Sequence, residues 1–233
     1  MNSPPPADMP RARFAELLGR SLHDLRNPLS VVRSSLEWLG LELELAERAR
    51  AEREEIMDAV HDASTATTRI LTILEDLAML SQVESGARLS RGVVDVGTSI
   101  GRIASAAHAR FAPRGVTVMA LTRAPLLVPA DARLVERAIE VLVEVCACAT
   151  PPAGCIELDA RIVDVDTGAR AVEITIGRRG VVALEGREAA IEALASGGIG
   201  VYLALRVFEV HGGSLVVPMT TTVPQTIARL PLA

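Results

Sequence analysis

The residues Leu18, Leu22, Leu25, Leu29, Val32, Leu36 and Leu39 recur in alternating steps of four and three. That spacing lays one apolar seam along a helix that packs in a bundle. A second stretch repeats it through Ile56, Val60, Ala63, Thr67, Ile70, Leu74, Leu77 and Ser81, with Ile73 and Leu80 widening the apolar face. The pattern predicts one helix from about Arg11 to Leu43 and a turn in the charge-dense Glu42 to Glu55. A second helix then runs to about Val83, with Glu84-Ser85-Gly86 as its stop. Two helices of this kind cannot bury both seams by themselves. A four-helix bundle built from two chains can, so a homodimer through residues 11–85 is expected.

Composition narrows the class. The chain has 233 residues, enough for one large domain or two small ones, and its 2% aromatic content favours aliphatic, helix-rich packing. The net charge of −5 and the lack of a long basic run argue against nucleic acid or an anionic membrane as the main partner. Residues 1–10 are Pro-rich, are expected to be disordered, and lack the pattern of a signal peptide. No apolar run approaches the roughly 20 residues of a membrane span, so no membrane insertion and a cytoplasmic setting are expected. Cys146, Cys148 and Cys155 have no fourth ligand at zinc-site spacing and are expected to be buried free thiols.

After Gly86 the pattern shortens. Strands are expected at Val93–Val96, Val116–Leu121, Leu126–Val128, Ser214–Val217 and Gln225–Leu230, and a hairpin at Ile156–Val165 and Ala171–Ile176. Helices are expected at Thr98–Arg110, from an Asp131 cap through Ala149, at Glu185–Ala195 up to the break Gly197-Gly198, and at Gly200–Val210. Helices set apart from an antiparallel-rich sheet make an α+β domain. The divisions expected are 1–10, a helical hairpin at 11–86, and an α/β domain at 87–233.

The chemistry-bearing stretch is His23-Asp24-Leu25-Arg26-Asn27-Pro28-Leu29. His23 lies one step past the seam residue Leu22, which puts it on the bundle's flank with an acid beside it. Asn27 is one helical turn further along the same face, and Pro28 removes a backbone donor and bends the helix there. His61 and His211 read as exposed polar residues, and His108 has no comparable context.

This heptapeptide resembles the H-box of two-component sensor histidine kinases. Leu80-Ser81-Gln82-Val83-Glu84-Ser85-Gly86 is similar to the end of that family's dimerisation and phosphoacceptor (HisKA-type) domain. Residues 93–232 follow the order of its ATP-binding GHKL/HATPase domain, an α/β sandwich. The resemblance implies that His23 accepts a phosphoryl group on a ring nitrogen, that Asp24 orients and activates the imidazole, and that Asn27 serves positioning and dephosphorylation.

The same resemblance shows where the chain departs from its family. The two asparagines of the metal-binding helix are replaced by Val141 and Val145, which offer no oxygen to Mg²⁺. Glu144, next to the second position, points some 100° round the helix. The family's Asp-x-Gly-x-Gly motif carries Arg178 at its Asp, Gly180 at its first glycine and Val182 at its second; Arg cannot accept the adenine amine's hydrogen bond. The phosphate-holding loop keeps Gly198 and Gly200 but has Tyr202 in a glycine position. Gly180, Gly198 and Gly200 are therefore relic glycines, with no bound cofactor, ATP or metal expected in this chain.

These residues together imply a pseudokinase-type histidine phosphotransferase. It would exchange a phosphoryl group between His23 and the aspartate of a response-regulator receiver domain, and the receiver would bring the Mg²⁺. Two alternatives stand beside it. One is an active sensor histidine kinase with a divergent nucleotide site; the other is a non-enzymatic scaffold that binds a response regulator or kinase.

Overall fold

The structure is a computed structural model. Its described residues are 50–122, 125–165, 168–179, 198–216 and 225–232, with 26, 29, 30, 32–34, 36, 37 and 40 of the first helical segment. The chain divides into two compact units, Met1–Ala87 and Arg88–Ala233.

In the first unit the described positions from Arg26 to Gly40 are helical. Helix α1 spans Arg50–Glu84, so it starts some residues before the apolar seam does. The charged run Arg50 to Glu55 belongs to the helix and not to a turn, because Arg, Ala and Glu are strong helix formers and no Gly or Pro interrupts them. Arg26 forms an ion pair with Glu75, and a Cβ added to Gly40 would meet Val60 Cγ1 at 3.4 Å. As one residue number rises the other falls, so the two segments run antiparallel as a hairpin.

The end of α1 follows its sequence signal. Gly86 has φ 66°; its N–H donates to the Val83 carbonyl and the Ala87 N–H to the Gln82 carbonyl, both at 3.3 Å. This is a Schellman stop, which glycine enters without Cβ strain. Along α1, Val60, Ala63, Leu74, Leu77 and Ser81 are half-buried and Thr67 is buried, as the seam requires. Ile70 departs from that expectation: with Ile73 and Val32 it stays exposed on a single copy.

The second unit is an α/β sandwich. Its elements in order are β1 (Gly92–Asp95), α2 (Val96–Phe111), a 3₁₀ turn (Ala112–Arg114), β2 (Thr117–Ala120), β3 (Leu127–Ala130), α3 (Ala132–Cys148), β4 (Cys155–Asp164), β5 (Arg170–Arg179), α4 (Gly198–Val210), β6 (Ser214–Val216) and β7 (Gln225–Pro231). The main sheet has the order β2-β4-β5-β7-β6, and β1 pairs with β3 as a separate ribbon. Among the described strands only β2 and β4 run parallel, and the other pairings are antiparallel.

Alternation in the strands decides which face is covered. Ile156 and Leu158 of β4, Val172, Ile174 and Ile176 of β5, and Ala228 and Leu230 of β7 are buried. They belong to one core with Ile100 and Ile103 of α2, Leu134, Ile139 and Leu142 of α3, and Leu203, Val207 and Phe208 of α4. The opposite side of the sheet is polar at its centre. There Glu173 lies opposite Arg161 on one neighbouring strand and Arg229 on the other, and it accepts from both guanidiniums at 2.9 and 2.8 Å. Burial pushes the Glu173 carboxyl up, but the two arginines outweigh it and hold it below its usual value.

Candidate functional site

His23, Asp24 and Asn27 lie outside the described residues. Their neighbour Arg26 is exposed and pairs with Glu75 across the hairpin, while Ser30 Oγ donates to the Arg26 carbonyl at 3.0 Å.

The positions that the resemblance assigns to a nucleotide site are better described. Asp131 starts α3 as an N-cap, its carboxylate accepting from the Leu134 N–H. The helix then carries Val141, which is buried, and Val145, which is half-buried. Glu144 is held in ion pairs with Arg110 and, at 4.0 Å, with Arg137, so its carboxylate is already engaged. Among the described residues no cluster of three His, Cys, Asp or Glu side chains could hold a metal ion.

On β5, Arg178 continues the buried alternation of Val172, Ile174 and Ile176 and is only 7% exposed. Its Nη1 donates at 2.9 Å to the carbonyl of Ala149, the C-cap residue of α3. The last carbonyls of a helix have no intrahelical donor, and a buried cation needs acceptors; this contact answers both needs. Cys146 of α3 lies beside this arrangement. Although the residue keeps some exposure, its thiol is enclosed, and burial pushes it up to about 11 despite Arg178 and a hydrogen bond with Thr226. Such a thiol is protonated and unreactive at neutral pH. Cys148 is exposed and Cys155 half-buried, so the expectation of three buried thiols fails, because the end of α3 turns one of them outward.

Gly180 and the expected helix Glu185–Ala195 lie outside the described residues. Gly198 opens α4; Gly200 lies within the first turn and Tyr202 is exposed.

The largest revision concerns His211, expected as an exposed turn residue and found 3% exposed. Its Nδ1 lies 2.7 Å from the Val207 carbonyl, and its Nε2 accepts from the Asp131 N–H at 3.0 Å. Burial, the largest influence, holds its pKa below 6.5. The signal was available: Leu203, Ala204, Val207 and Phe208 form the buried face of α4, and position 211 is the next step of that helical period. His61 is exposed as expected, and His108 accepts weakly from the Val118 N–H at 3.4 Å.

Residues 15–86 match the His Kinase A (phospho-acceptor) domain. The chain is also 24% identical over 219 residues to the probable sensor histidine kinase TcrY of Mycobacterium tuberculosis, covering 90% of this chain and 44% of that protein. Residues 15–86 are thus similar to a phospho-acceptor domain, and the chain as a whole resembles sensor histidine kinases. Solved structures agree on the fold. The Acinetobacter baumannii histidine kinase AdeS is 15% identical with a TM-score of 0.58, covering 90% of this chain and 98% of that one. Full-length ShkA in complex with AMPPNP is 20% identical with a TM-score of 0.66, covering 94% of this chain and 46% of that one. The family's architecture, a helical phosphoacceptor region followed by a HATPase-like sheet domain, is thus present. The chain spans less than half the length of TcrY and of ShkA. Among the described residues no helix is long and apolar enough to cross a membrane.

Proposed function

We propose that this chain is a two-component phosphorelay protein that moves a phosphoryl group between His23 and the aspartate of a response-regulator receiver domain, without ATP-dependent autophosphorylation of its own. The receiver's acyl phosphate is attacked by a ring nitrogen of His23; the P–N bond forms as the P–O bond to aspartate breaks, and the reverse step regenerates the acyl phosphate. Asp24 orients the ring, Asn27 serves positioning and dephosphorylation, and Mg²⁺ comes with the receiver.

The observation that carries the reading is Arg178. A buried guanidinium committed to the Ala149 carbonyl stands where the resemblance calls for a carboxylate that accepts from adenine. Val141 and Val145 supply no oxygen for a metal, and Glu144 is engaged with arginines. These residues do not suit Mg-ATP. A homodimer is part of the proposal, supported by Val32, Ile70 and Ile73 left exposed on one copy.

Incubation with phosphorylated candidate receivers tests it, the label on this chain being acid-labile and alkali-stable. Titration with Mg-ATP by calorimetry is expected to give no binding heat. Tight binding would overturn the proposal in favour of an active, divergent kinase, and signalling that survives His23→Ala would favour a scaffold.

A further inference from the structure

We propose that His211 is an acid-sensitive latch, joining the C-terminal end of α4 to the N-terminus of α3 and to the segment leading into β1. The Val207 carbonyl can only accept, so the Nδ1 2.7 Å from it carries the hydrogen. The Asp131 N–H can only donate, so the Nε2 that it meets at 3.0 Å offers a lone pair. Both contacts hold together in one form of the ring, the neutral Nδ1–H tautomer.

The residues around it make the joint consequential. Asp131 is 5% exposed, and its carboxylate accepts from the Leu134 N–H at 3.4 Å, capping α3, and from the Ser90 N–H at 3.0 Å. Arg91, the next residue, donates from Nη2 to the Val210 carbonyl at 2.8 Å. One imidazole thus ties together the chain before β1, the cap of α3 and the last turn of α4, the helix that Gly198 opens. A second proton on Nε2 would face the Asp131 N–H donor to donor and leave a cation in a buried place. Two charged groups face the ring: Arg91 opposes the added proton and the Asp131 carboxylate favours it, while burial opposes it most. Acid therefore opens the joint locally, ahead of global unfolding.

The test is an NMR titration of the intact ¹⁵N-labelled chain from neutral to acid pH. Expected are the Nδ1–H tautomer at neutral pH, a His211 midpoint below 6.5, and Asp131 and Ser90 amide shifts that follow the same midpoint. Hydrogen-exchange protection at Asp131 falls about tenfold or more across it. His211→Gln, whose side-chain carbonyl can accept from Asp131 without titrating, is expected to remove the transition. A His211 midpoint at or above 6.5, an Asp131 amide unmoved across that midpoint, or an unchanged transition in the Gln variant each overturns the latch. The first two are read on the unaltered chain, so they stand even if the variant does not fold.

Discussion

In the α/β unit, Leu134, Ile139, Leu142, Leu203 and Phe208 are enclosed by the unit's own sheet and helices, whereas in the helical unit Val32, Ile70 and Ile73 remain 42 to 48% exposed. Among the described residues the first unit leaves part of its apolar stripe exposed, whereas the second encloses its core. The chemistry is distributed the other way round. The hairpin's sequence carries the residue types that the resemblance assigns to a phosphoacceptor motif, while the self-sufficient unit has Val141, Val145 and Arg178 where the resemblance calls for nucleotide-binding polar groups. Packing and chemistry draw on different residues, so a fold does not by itself fix the chemistry of its site.

The contrast can be broken by experiment, and the largest expected effect is at His23. His23→Ala is expected to abolish acid-labile labelling from a phosphorylated receiver while leaving the circular dichroism spectrum intact. Next in size is Gly213→Ala in the turn after α4. A Cβ there would stand 2.0 Å from the Arg229 carbonyl oxygen, so a loss of about 3 kcal/mol in urea unfolding of the α/β unit is expected. Ile70→Ser with Ile73→Ser should weaken self-association by about tenfold or more per site, read by sedimentation, because each buried isoleucine is worth about 1.5 kcal/mol or more.

Acid stability separates the units further. His211 is held below 6.5, so its contribution is complete above that pH and is lost as pH falls towards the folded-state value. Glu173 is held below 4.5, so its contribution persists until pH falls under that value. Two successive losses in thermal midpoint are expected for the α/β unit, and His211→Gln should remove only the first. The smallest effect is at the Arg26–Glu75 pair, whose side chains are 56% and 43% exposed; Arg26→Ala should cost below about 1 kcal/mol.

Several elements were legible because their signals are local. The Asp131 cap, the Gly86 stop and the β4–β5 hairpin follow from capping residues, glycine and alternation. The start of α1 was missed because the charged residues 50–55 suggest a solvated turn while also favouring helix. Ile70 was assigned to the hairpin seam because heptad spacing marks an apolar stripe without naming what covers it. Of the His23 to Leu29 stretch only Arg26 and Leu29 are among the described residues, so His23, Asp24 and Asn27 were readable only as sequence. Val141, Val145 and Arg178 were legible as residue types, and the structure added that Val141 and Arg178 are buried.

What the sequence determined by itself was the order of elements, the apolar faces and the chemical capacities of side chains, all properties of a residue and its near neighbours. What only the tertiary structure decided was where two polar residues would spend their hydrogen bonds. Arg178 meets Ala149, 29 positions away, and His211 meets Asp131, 80 positions away. No periodicity encodes such pairings, because they arise when distant strands and helices enclose a polar group and burial obliges it to find a partner.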